Sequence, residues 1–143
     1  MNIRVATAAV IGLTVIGGFF AALLAQGRSV WDGVYNEEQA KRGAVLFDVE
    51  CAGCHGPDGE GGGMAPATIG GAFSANYDGQ TLNALFERNR TTMPVGKEGQ
   101  LSRQQIADIT AFMLQKNSFP AGPKELPGEA MPLTMIKYLG TKP

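Results

Sequence analysis

The chain of 143 residues is expected to be all-α, with about three main helices joined by long glycine- and proline-rich loops. Three observations predict this. Apolar residues recur at helical spacing in three separate stretches, two of them opened by a capping residue. Between them glycine and proline, 20 and 8 residues in all, accumulate without a 3.6- or 2.0-residue period. No segment alternates apolar and polar residues as a half-buried strand would.

Taken in order, Arg4 is followed by Val5–Ala25, 21 residues without a charge. Positive charge, apolar run and small residues in that order form an export signal, with cleavage after Ala25 or Gly27. The run is also long enough to cross a hydrocarbon core of about 30 Å as an uncleaved anchor. Residues 1–27 are therefore read as a signal peptide or membrane anchor. Either reading puts the rest of the chain outside the cytoplasm, in the periplasm, free or anchored to the inner membrane.

Residues 28–35 read as an extended lead-in, with Trp31 as a core plug. Asn36 is a helix cap, and Gln39 three residues on completes the pattern of a capping box. The first helix runs from there to about Cys51 or Cys54, with Ala40, Gly43, Ala44 and Phe47 on one face. A glycine inside a helix costs about 1 kcal/mol against alanine. Gly43 therefore implies close approach of another backbone or of a flat group.

From Gly56 to Gly71 the chain is glycine-rich loop with Pro57 and Pro66. Asp78-Gly79 is expected to start a second helix of about ten residues, carrying Leu82, Leu85 and Phe86. Residues 90–100, with Met93-Pro94, form another loop. Ser102 and Gln105 make a second capping box and open a helix to about Asn117, with Ile106, Ile109, Phe112 and Met113 on one face. The stretch 118–143 holds five of the eight prolines and should be irregular. Its apolar residues Leu133, Ile136, Tyr138 and Leu139 either cover the domain or bind a larger subunit. This divides the chain into an export segment (1–27), a helical domain (28–117) and a proline-rich extension (118–143).

Composition excludes several functions. Twelve cationic and thirteen anionic residues nearly cancel, so no basic nucleic-acid footprint exists and no nucleic-acid partner is expected. Two cysteines and one histidine cannot supply a four-ligand zinc site. A disulfide between Cys51 and Cys54 would close too small a loop to restrain a fold.

The chemistry lies in Cys51-Ala52-Gly53-Cys54-His55. Cys-x-x-Cys-His is the attachment signature of haem c. Two thiols one helical turn apart can each add to a vinyl group on one edge of the macrocycle. The adjacent histidine then reaches the iron from one face. One covalent haem is expected, with Cys51 and Cys54 as thioethers and His55 as an axial ligand. No second histidine exists, so a sixth ligand must be sought among the methionines. Met113 falls on an apolar helix face, Met131 and Met135 lie in the tail, and Met64 is close to His55 in sequence. Met93, in a loop between helices with Pro94 fixing its exit, is the best-placed candidate.

Residues 36–117 resemble a class I cytochrome c. The match comprises the first helix with Gly43 and Phe47, then Cys51-Ala52-Gly53-Cys54-His55-Gly56. Pro66, Met93-Pro94 and a last helix ending Ile109-Thr110-Ala111-Phe112-Met113-Leu114 complete it. The resemblance implies that Gly43 and Phe47 pack near Ile109 and Phe112, that the Pro66 carbonyl accepts the Nδ1 proton of His55, and that Met93 is the second axial ligand. Tyr35–Gly43 and Asn117–Gly122 are similar to small cytochromes that accompany periplasmic quinoprotein (PQQ) dehydrogenases.

The function so implied is single-electron transfer, without catalysis, between a dehydrogenase and an oxidase or another cytochrome of a respiratory chain. Leu46, Phe47, Phe73, Leu82, Leu85, Phe86, Leu101 and Ile109 are candidate pocket walls. Arg88, Arg90 and Lys97 are candidates for a cationic rim steering an acidic partner, with Asp58 and Glu60 as a counterweight. Two other readings stay open. An iron without a sixth ligand would suit a peroxidase or gas sensor. An uncleaved anchor or a docking tail would suit a haem subunit of a larger respiratory or dehydrogenase complex.

Overall fold

Asn36 opens the first long helix as the sequence predicts. Its side-chain oxygen accepts the Gln39 backbone N–H at 2.9 Å, and α1 runs Glu37–Glu50. The expected capping box is only half made. The Gln39 side chain turns inward and is fully buried. Its Nε2 donates to the Leu126 carbonyl at 2.9 Å and its Oε1 accepts the Leu126 N–H at 2.6 Å. A buried amide must find partners, and the Leu126 backbone supplies both.

The structure, a computed structural model, describes residues 27–143. The export segment expected over residues 1–27 lies, Gly27 aside, outside the described residues. Among the described residues no helix is long and apolar enough to cross a membrane.

After Cys51 a single turn, α2 (Ala52–His55), is followed by the glycine-rich loop and then by α3 (Gly70–Tyr77). No local signal announces α3: Ile69 stands at its cap position and no side chain caps it. α4 spans Leu82–Thr92, so the second helix begins at Thr81 rather than at Asp78-Gly79. Gly79 is left-handed (φ 77°), and the Asp78 carboxylate accepts the Gly140 N–H at 2.8 Å, away from any helix start. α5 spans Arg103–Lys116 and carries the complete capping box of Ser102 and Gln105.

α1 and α5 form the centre of the molecule. Every residue from Ile106 to Leu114 is buried. A β-carbon at Gly43 would collide with the carbonyl of Asp108, so only glycine permits this crossing. One turn on, the rings of Phe47 and Phe112 meet at 5.0 Å between centroids. Arg42 closes the same junction, with Nε 3.0 Å from the Asp108 carboxylate.

The proline-rich stretch packs over these helices. It contains α6 (Ala130–Thr134) and a two-residue strand, β2 (Ile136–Lys137), paired in parallel with β1 (Arg28–Ser29). This short ladder is absent from the sequence expectation because two residues cannot show an alternation. Leu133, Ile136 and Tyr138 are buried, so these residues cover the helices. Trp31 plugs the core only in part, packing against its edge. It is half-buried, edge-on to Phe119 at 4.8 Å, and its indole N–H donates to the Leu139 carbonyl at 2.9 Å. It fastens the lead-in to the tail.

Candidate cofactor site

The end of α1 delivers two thiols and an imidazole to one place. The Cys51 N–H closes the helix on the Phe47 carbonyl at 2.8 Å. The next turn brings the N–H groups of Cys54 and His55 to the Cys51 carbonyl at 3.1 and 3.0 Å. Cys51 and Cys54 are not joined to each other in a disulfide. Burial, with a smaller contribution from Glu50, pushes the Cys51 thiol up to about 11.

His55 Nδ1 stands 2.7 Å from the Pro66 carbonyl oxygen. A carbonyl can only accept, so Nδ1 carries the proton and Nε2 keeps its lone pair for a metal. The loop between them is tied to itself. The Gly61 N–H donates to the His55 carbonyl at 2.6 Å, and the Thr68 N–H to the Gly59 carbonyl at 2.7 Å. Gly59 is left-handed (φ 78°), and a β-carbon there would strike the Thr68 hydroxyl.

Cys51, Cys54, His55 and Met93 all line a single cavity of about 870 Å³. Met93 stands at the end of α4, its N–H on the Asn89 carbonyl at 3.2 Å. The apolar wall is made by Phe47, Phe73, Leu101, Ile106, Ile109 and Met113. Of the other residues expected there, Leu82, Leu85 and Phe86 are fully buried in the core and do not line the cavity, and Leu46 packs against the core from α1. The cavity side of α4 is instead Ala84, Arg88 and Asn89. Periodicity shows which residues share a helix face; it does not show which of two apolar spaces that face meets.

Three methionines border the cavity: Met64, Met93 and Met113. Met64 is 80% exposed on the loop that carries Pro66. Met113 is buried, and its sulfur accepts from Asn89 Nδ2 at 3.4 Å. Met131 and Met135 are exposed in the tail and do not line it.

The expected cationic rim is reduced. Arg88 and Lys97 line the cavity, but Lys97 pairs with Glu50 at 3.1 Å. Arg90 is turned away and held by Glu87 at 2.7 Å. Asp58 pairs with Lys116, and Glu60 accepts the Asp58 N–H at 2.9 Å. The surface near the cavity is thus close to neutral. Sequence reasoning also missed Asn89 and Asn117. Isolated asparagines near helix ends carry no motif.

A large cavity with apolar walls, two thiols at its edge and a correctly tautomerised imidazole fits an iron macrocycle and fits little else. The fold and this donor set define a haem-binding, all-α electron-transfer domain. The chain belongs to the cytochrome c family, whose model, Cytochrome c, matches residues 40–117. Its cofactor is covalently bound haem c. The chain is 29% identical over 103 residues to a thiosulfate dehydrogenase of Stutzerimonas stutzeri (strain A1501), a match covering 68% of this chain. It spans about a third (33%) of that relative's length. It is also similar to a chain in the crystal structure of the sulfane dehydrogenase SoxCD from Paracoccus pantotrophus. That match has 24% identity and a TM-score of 0.46, covering 63% of this chain and 53% of that one.

Proposed function

We propose that this cytochrome is a periplasmic single-electron carrier with His55 and Met93 as its axial ligands and Cys51 and Cys54 as its thioether links. The observation that carries the reading is the convergence of these four side chains on one apolar cavity. Bound haem supplies one Fe(III)/Fe(II) couple. The rest is done by the chain. Pro66 holds the His55 tautomer that leaves Nε2 free to bind. Met93 is favoured over its two rivals. Met113 already accepts a hydrogen bond at its sulfur. Met64 is highly exposed, on the loop that supports His55. A thioether is a weak neutral donor that favours the ferrous state, and the apolar wall disfavours the net charge of the ferric one. Both raise the potential. Two protein ligands leave no position for substrate.

Arg4 and the uncharged run Val5–Ala25 support export, with residues 28–117 as the haem-binding domain and 118–143 as an extension. The match to a dehydrogenase supports a dehydrogenase as electron donor, with a respiratory oxidase or another cytochrome as acceptor. A nearly neutral rim suits a brief encounter held by a small interface.

Visible spectra of oxidised and reduced holoprotein, with and without carbon monoxide, test this. A low-spin spectrum with a sulfur-to-iron charge-transfer band and no carbon monoxide binding is expected. A high-spin ferric spectrum with ready binding overturns it in favour of an open-site haem protein.

A further inference from the structure

Asn117, the residue at the C-terminal end of α5, makes more contacts than capping that helix requires. Its Nδ2 donates to the Met113 carbonyl at 2.8 Å, an ordinary helix-end bond. The same nitrogen donates to the Thr68 carbonyl at 3.0 Å. Its Oδ1 accepts the Gly70 N–H at 3.0 Å. One carboxamide therefore joins the central helix to Thr68, at the end of the glycine-rich loop, and to Gly70, the first residue of α3. Thr68 is itself clamped to Gly59 by its N–H at 2.7 Å. Two residues upstream is Pro66, whose carbonyl lies 2.7 Å from His55 Nδ1. Proline has no N–H, so its own backbone can anchor only through that oxygen. Its position is set by its neighbours, and the first of them tied to a helix is Thr68.

We propose that Asn117 is a positioning residue for His55. It holds Thr68–Gly70 against α5 and so keeps the Pro66 carbonyl on the His55 Nδ1 proton. This rests on His55 being an iron ligand. A firm Nδ1–H···O bond raises the basicity of the other ring nitrogen and favours the ferric state. Loosening it favours the ferrous state and raises the potential.

The experiment compares wild-type holoprotein with Asn117→Ala, and with Asn36→Ala as a variant that removes a helix cap remote from the loop. Three quantities are read: thermal stability, midpoint potential, and the exchange rate of the His55 Nδ1 proton by NMR. Asn117→Ala should shift the reduction equilibrium about threefold toward the ferrous form, about 28 mV upward at 59 mV per decade. It should also speed Nδ1 proton exchange severalfold. Asn36→Ala should lower the melting temperature and leave both other readouts at wild-type values. Where Asn117→Ala does not fold, Asn117→Ser gives the same directions to a smaller extent. If either Asn117 variant melts earlier but keeps its potential and exchange rate, Asn117 is a structural cap and the proposal is overturned. Failure of the ligand assignment itself is seen separately, as a high-spin spectrum in the wild-type protein.

Discussion

The two sides of the cavity are built differently. The histidine side is stitched to the body of the protein. Gly61 bonds back to His55, Thr68 to Gly59, and Asn117 to both Thr68 and Gly70. The methionine side is held mostly by itself. Met93 bonds to Asn89, Lys97 to Pro94, Gln100 to Lys97 and Gly96 to the Glu98 side chain, all within a few residues. Among the described residues, one hydrogen bond from this loop reaches another element, the exposed Lys97–Glu50 pair. Local bonds of this kind open at low cost. Of the two side chains proposed as axial ligands, His55 is held by the fold, whereas Met93 sits on a loop tied mainly to itself.

The sharpest break of this comparison is Met93→Ala. The loop supports little else, so the variant should stay folded and keep its His55 side intact. Carbon monoxide binding should change from undetectable to ready, read by visible spectroscopy. A variant that failed to fold would show that the methionine loop is structural after all.

Gly59→Ala attacks the stitched side. It forces a β-carbon into left-handed backbone, at about 1–2 kcal/mol, and against the Thr68 hydroxyl, for about 2–3 kcal/mol in all. Denaturant unfolding should read that loss. An effect within about 0.5 kcal/mol would mean the loop is as loose as its counterpart.

Both sides hang from a body that the tail closes, and Tyr35 tests the closure. Its hydroxyl donates to the Phe119 carbonyl at 2.7 Å. Burial, aided by Glu37, pushes its phenol from 10.0 up to about 12. The folded protein keeps this proton to higher pH than the unfolded chain. The stability it contributes is complete below pH 10 and is lost as pH rises toward 12, about 2–3 kcal/mol at most. Tyr35→Phe should cost about 1 kcal/mol at neutral pH and flatten the alkaline decline in a melting series.

The smallest effect belongs to Lys97→Ala. An exposed ion pair is worth about 0.5 kcal/mol or less and weakens with salt. Its removal should leave unfolding almost unchanged at 0.5 M salt. A loss above about 1 kcal/mol would show the methionine loop to be better anchored than its bonds suggest.

The comparison also shows what was readable in the chain. Asn36, and Ser102 with Gln105, announced two helix starts because capping is local chemistry. Gly43 announced a close crossing because a glycine within a helix demands a reason, and the Asp108 carbonyl is that reason. The cysteines and histidine were legible because haem attachment fixes their spacing. What stayed hidden was long-range. Gln39 read as a capping partner and instead grips Leu126, 87 residues away. α3 has no capping side chain to announce it. Leu82, Leu85 and Phe86 were visible as one apolar face, yet nothing local told whether that face meets the cavity or the tail. Asn117 looked like the end of a helix, and its second task appears only once the loop is folded against it.

The parallel pairing of Arg28–Ser29 with Ile136–Lys137 also has a mechanical consequence. Tension applied to the chain at Gly27 falls first on this ladder and on the Trp31–Leu139 bond beside it. It would peel the lead-in from the tail before any load reached α1 and the thiols at its far end. The lead-in and the tail thus stand between the start of the described chain and the helix that carries the cavity residues.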